Sequence, residues 1–163
     1  MHIKLINKKL YFNKYKVKCA IGKRGISDKK REGDNITPRG TFRFNEIFYR
    51  KDRVSKIRSY LKKTTIKNNM GWCDDVQSIH YNKLIFFPFN LSAERLKIKK
   101  NIYDIIVILD FNLKPIIKNK GSAIFLHVAT KEYKPTKGCI AVSKTNLKKL
   151  ISLISSKSKI TIF

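Results

Sequence analysis

The chain is 163 residues long, 42% hydrophobic and 11% aromatic, which suits one folded domain with its own core and excludes a disordered polyelectrolyte. Its 37 Lys and Arg against 11 Asp and Glu give a formal net charge of +26, a field that draws polyanions: nucleic acid, an acidic membrane or an acidic cell-wall polymer. No apolar run reaches the roughly 18 residues of a membrane span, and the cationic start, MHIKLINKKLYFNKYK, shows neither the apolar stretch nor the small-residue site of an export signal.

No repeat and no linker divides residues 1–163, which read as a single domain. The first fifty residues predict short strands at Ile3 to Ile6, Lys9 to Phe12 and Tyr15 to Ile21, the last with Tyr15, Val17 and Cys19 alternating with lysines. Gly22 to Gly40, rich in Gly, Asp, Asn and Pro, predicts an irregular loop. Thr41 to Tyr49 returns to strand chemistry. Lys51 to Asn69 is basic and polar and accommodates one short helix. Gly71 to Arg95 mixes aromatics with turn residues and predicts a long excursion over one end of the sheet. Tyr103 to Leu109 is an almost unbroken apolar run, the mark of a strand buried on both faces. Ser122 to Val128 is another, followed by a turn-rich segment and a short strand at Cys139 to Val142. Leu147, Leu150, Ile151 and Ile154 recur at helical steps, with Ser143 or Thr145 as N-cap. Lys159 to Phe163 closes the chain as a strand. The expected fold is mainly β, sandwich-like, with one clear helix near the C-terminus.

The cations are mostly Lys, spread along the whole chain, and lack the guanidinium fork that reads phosphate and guanine. Nucleic acid is therefore not the expected partner. Cys19, Cys73 and Cys139 lie far apart without C-x-x-C spacing, and an odd number leaves at least one free thiol. His80 and His127 with these cysteines lack the spacing of a zinc site. Gly22-Lys23-Arg24-Gly25 is too short for a phosphate-binding loop and is read as a turn.

Cys139 has the most suggestive surroundings. It follows Gly138 in the turn Thr136-Lys137-Gly138-Cys139, where the chain enters an apolar strand. Glycine lets the backbone bend and approach a ligand, and amide N–H groups at such a turn can converge on one oxygen. A thiol of pKa near 8.5 needs a base or positive neighbours to be thiolate near neutrality. His127, twelve positions earlier at the end of the preceding strand, is the candidate base. The alternative is a core histidine and a buried structural thiol. Cys73, beside the carboxylates of Asp74 and Asp75, is a poor nucleophile, and His2 and His80 have no evident partner.

The surrounding text resembles the YkuD-like L,D-transpeptidase catalytic domain. That family carries a His, a spacer, then Ser/Thr-His-Gly-Cys and an apolar residue, seen here as His127 and Thr136-Lys137-Gly138-Cys139-Ile140. Its Thr-Pro-x-Gly-x-Phe segment appears as Thr37-Pro38-Arg39-Gly40-Thr41-Phe42, read as architectural. Lys30 to Asp34, Gly71 to Asp75 and Gly121 to Ala129 resemble a branch common in alphaproteobacteria, so the likeness runs from about Gly22 to the C-terminus. Two positions depart: Lys137 stands for the family's second His, and Ala141 for its Arg.

The resemblance implies acyl transfer on peptidoglycan stem peptides, in the periplasm, without metal or organic cofactor. Cys139 would be nucleophile and His127 base, with N–H groups around Gly138 and Cys139 holding the oxyanion. Thr136, Lys137, Trp72 and Tyr133 would line the substrate groove, although an aromatic such as Trp72, Tyr81 or Tyr133 can equally be core. Lys137 either favours the thiolate by charge or is merely solvated. Asp74 or Asp75, or a backbone carbonyl, would orient His127. The acyl acceptor, an amine, a protein or water, is left open, as are an L,D-carboxypeptidase or other amide hydrolase, and a basic polyanion-binding protein on an inactivated scaffold.

Overall fold

The structure, a computed structural model, describes residues 1–163. Period-two patterning builds the first strands, β1 (His2–Ile6), β2 (Lys9–Phe12) and β3 (Tyr15–Ala20), whose inward positions include Ile3, Leu5, Leu10, Phe12 and Cys19. Asn7 and Lys8 take φ of 48° and 58°, the left-handed pair a two-residue hairpin needs between β1 and β2. β4 (Ile26–Ser27) and β5 (Thr37–Pro38) pair briefly across the Gly-rich loop. There follow β6 (Gly40–Tyr49), β7 (Lys62–Thr65), β8 (Met70–Cys73), β9 (Leu84–Phe86) and β10 (Ala93–Arg95). A 3-10 turn at Asn101–Tyr103 leads into β11 (Ile105–Leu109), β12 (Phe125–Val128), β13 (Ile140–Val142), α1 (Lys144–Ile151) and β14 (Lys159–Ile162).

One hydrogen-bonded ladder, in the order β11-β12-β13-β3-β2-β1-β14-β6-β7, closes on itself because β6 also pairs with β11. β3 and β6 thus belong to both layers of a β-sandwich. The fold is mainly β with a single α-helix, as the sequence predicts. Between the layers, Ile3, Leu5 and Ile160 meet Val107, Leu126 and Ile140, and α1 adds Leu147, Leu150 and Ile151. Ser143 caps α1 by accepting the Asn146 N–H. No helix is long and apolar enough to cross a membrane.

β11 is buried on both faces, which explains its unbroken apolar run. Ile105, Val107 and Leu109 point into the main core, and Ile106 and Ile108 into a second one with Trp72, Tyr103 and Phe125. That second core is roofed by the three-stranded sheet β10-β8-β9. The excursion expected over Gly71 to Arg95 is therefore a small sheet of its own.

Residues 51–69 form no helix. Val54, Ile57 and Leu61 have helical spacing, but the segment is drawn out along the main core and ends as β7, paired in parallel with β6. Its start is tied down by charge. Arg50 forks onto Asp52, and Arg53 joins Lys144 on the buried Asp104 at the head of β11. Tertiary pairing here overrides local propensity.

The Thr37 side chain links the Gly-rich loop to the Gly138 turn. Its hydroxyl donates to the Gly138 carbonyl at 2.7 Å and accepts the Gly22 N–H at 2.8 Å, and Thr37 is wholly buried. A side chain at Gly22 would collide with the Asn35 carbonyl at 2.4 Å, so the Gly-rich loop closes on itself backbone to backbone. Thr37→Val leaves a buried donor and a buried acceptor unpaired, and a loss of about 3 kcal/mol is expected in urea unfolding. Thr37→Ser keeps both bonds and should lose under half as much.

Candidate active site

Parallel pairing decides which side chains meet. β12 and β13 run side by side with Leu126 opposite Ile140, His127 opposite Ala141 and Val128 opposite Val142. Side chains alternate, so Leu126, Val128, Ile140 and Val142 enter the main core while Phe125, His127, Cys139 and Ala141 share the other face. His127 and Cys139 are diagonal neighbours on that face, under the roof of the small sheet. They line one cavity of about 350 Å³.

His127 is 6% exposed, with Tyr103 set edge-on against its ring at 5.4 Å between centroids. Its Nδ1 lies 2.9 Å from the Val128 carbonyl. A carbonyl only accepts, so Nδ1 carries the hydrogen and Nε2 the lone pair. Burial pushes the imidazole pKa down to about 4, against the pull of the Val128 and Ile102 carbonyls. The ring is thus neutral near pH 7 and able to take a proton. A backbone carbonyl orients it. Asp74 instead accepts the Ser92 hydroxyl, and Asp75 the N–H groups of Gln77 and Ser92.

Cys139 is half-buried, its Sγ accepting the Phe125 N–H at 3.4 Å and facing the Ala123 carbonyl at 3.9 Å. Burial pushes the thiol up to about 12; Glu94 and Glu32 add to the rise, and the Phe125 N–H and Lys29 oppose it. The resting pair is thiol and neutral imidazole rather than an ion pair. Lys29, buried in a pair with Asp34, supplies the cation that favours the thiolate. Lys137 is exposed, makes no ion pair, and lines the cavities on both sides of the thiol.

The turn before Cys139 is held on both sides. Thr136 Oγ1 donates to the Cys139 carbonyl at 2.6 Å and accepts the Gly138 N–H at 3.1 Å. Gly138 has φ of +137°, and a side chain there would meet the Ile36 carbonyl at 2.9 Å. Because Thr136 occupies the Gly138 N–H, the amides left unpartnered at this turn are those of Lys137 and Cys139. Of the pair expected from sequence, only Cys139 offers an unpartnered oxyanion donor.

The remaining groove residues lie elsewhere. Trp72 is 7% exposed, donates Nε1–H to Asn82 at 2.9 Å and stacks edge-on with Phe125, so it supports the second core from behind the site. Tyr133, under the Lys18 ammonium, lines a separate cavity with Cys19 and Lys23. Tyr81 is buried, its hydroxyl donating to Glu32.

Sequence reasoning passed over Glu94 and Tyr103. Glu94, on β10, borders both cavities at Cys139 and accepts the Tyr103 hydroxyl at 2.6 Å. Desolvation raises its carboxyl pKa, opposed by that bond and by Lys137. Neither residue sits in a recognisable motif, and only the roofing sheet brings Glu94 over the thiol.

The family model for the YkuD domain, the L,D-transpeptidase catalytic domain, matches residues 4–162. No curated protein matches the chain.

All three cysteines are free, and Cys19 and Cys73 are buried at 2% and 0% exposure. Native protein should therefore take up one equivalent of iodoacetamide, mapped by peptide mass to Cys139. The thiolate is the reactive form and the thiol pKa is raised, so the rate should climb about tenfold per pH unit from pH 7 to 10 without a plateau. A plateau below pH 8 would indicate a resting ion pair instead.

Proposed function

Given that the chain belongs to the YkuD family of L,D-transpeptidase catalytic domains, we propose that it is a peptidoglycan L,D-transpeptidase working through a thioester on Cys139. The observation that carries this reading is the shared face of β12 and β13, where a neutral His127 and the Cys139 thiol line one cavity.

The neutral resting pair supports general-base catalysis on substrate arrival. His127 Nε2 takes the thiol proton as Cys139 Sγ attacks the carbonyl of the diamino acid in a stem peptide. The Cys139 N–H receives the developing oxyanion. The imidazolium then hands its proton to the leaving amine of the terminal D-alanine, and the C–N bond breaks. An amine on a neighbouring stem takes the acyl group, giving a cross-link and restoring the thiol. Water in its place would make the protein an L,D-carboxypeptidase. Thr136 and Thr37 hold the turn, and Lys137 faces the substrate.

The charge supports a second contact, with an anionic polymer of the wall. Five of the 37 Lys and Arg are ion-paired, which leaves the surface free to adsorb anionic wall polymer. The substrate puts this work in the periplasm. Adsorption to a teichoic-acid-like or other anionic polymer should weaken steeply from 50 to 200 mM salt. Salt-independent retention counts against it.

Mass spectrometry after mixing with a stem tetrapeptide should show an acyl adduct on Cys139 and a new cross-linked muropeptide. Cys139→Ala should form neither, and His127→Ala should slow adduct formation by about 10²-fold or more. An adduct of undiminished yield on Cys139→Ala would sink the assignment.

A further inference from the structure

Two cavities meet at Cys139, and they differ in charge. One, about 350 Å³, holds His127 together with Lys100, Lys134 and Lys137. The other, about 280 Å³, holds Glu32 and Asp74, with its Lys29 already committed to Asp34. Glu94 and Lys137 border both.

Only the lysine-lined cavity contains the base. In the reaction above, His127 gives a proton to the leaving amine and later takes one from the entering amine. The second half-reaction retraces the first, so both amines must stand beside the same imidazole. Leaving group and acceptor therefore occupy the lysine-lined cavity in turn. Lys100, Lys134 and Lys137 are exposed and make no ion pair, so their ammonium groups are available to a ligand. The lone carboxylate on this side, Glu94, is engaged by the Tyr103 hydroxyl.

We propose that Lys100, Lys134 and Lys137 form a carboxylate subsite that holds the departing terminal amino acid and then selects an acceptor whose amine sits beside a carboxylate. The proposal rests on the thioester reading. In the transfer the acceptor reacts as its free amine: its nitrogen bonds to the acyl carbon, the C–S bond breaks, and His127 carries the surplus proton from nitrogen to the departing sulfur. The lysines are specificity-determining and do not enter the bond changes.

The test compares two acceptors with the same skeleton and amine, D-alanine and D-alaninamide, at equal free-amine concentration on acyl-enzyme preformed from a stem tetrapeptide. D-Alanine should be used with kcat/KM about tenfold higher, as a few solvent-screened ion pairs allow, and the preference should shrink with added salt. In the Lys134→Ala/Lys137→Ala double variant, and in Lys137→Gln, the preference should fall towards unity. A merely structural role would leave this acid-to-amide ratio unmoved. Equal use of the two acceptors by the parent, or an undiminished preference in the double variant, overturns the subsite and leaves the thioester reading standing. Absence of any acyl-enzyme overturns both.

Discussion

The site depends on one constraint, the parallel register of β12 with β13. His127 opposite Ala141 puts the imidazole and the Cys139 thiol on the same face. A slip of one residue would send one of them into the main core with Leu126 or Ile140. The register is secured by burial, since Leu126, Val128, Ile140 and Val142 must all face inward together. It is also secured by the hydroxyls of Thr37 and Thr136, which fix the turn from either side. The meeting of His127 and Cys139 on one face is thus a by-product of how the core closes.

Burial also sets the chemistry. The roofing sheet and Tyr103 take water away from His127 and Cys139, and both shift towards their neutral forms. The chain carries a large positive charge overall, yet after burial itself the largest charge effect on the thiol is that of Glu94, which raises its pKa further, with the Phe125 N–H and Lys29 opposing and Glu32 adding a smaller push. The net charge of +26 is therefore a poor guide to the field at the Cys139 thiol.

Much of the frame was legible. Alternation located the first strands, and the apolar run of β11 identified a strand covered on both faces. Helical spacing found α1 together with its Ser143 cap. The short helix allowed for Lys51 to Asn69 did not form, because Val54, Ile57 and Leu61 line the core from an extended segment held by Arg50, Arg53 and β7 pairing. Trp72 and Tyr133 illustrate the same limit at the site. An aromatic in a turn-rich region gives no sign of whether it faces a cavity or a core, and here one packs on Phe125 while the other lines a separate cavity.

Cys139 and His127 were the candidates that local sequence could supply, because the Gly138 turn, the strand ends and the Thr37 to Phe42 segment are each continuous in the chain. The sequence by itself determined the principal strands, the family and the choice of those two candidate groups. Only the tertiary structure decided that Val128 and not an aspartate orients His127, that Thr136 takes the Gly138 N–H, and that Glu94 borders the cavities at the thiol. Those facts depend on hydrogen bonds and burial between segments distant in the chain or on the exact turn geometry. Local pattern carries hydrophobicity and turn chemistry, whereas a pKa or a free N–H is set by whatever the completed fold brings within a few ångströms.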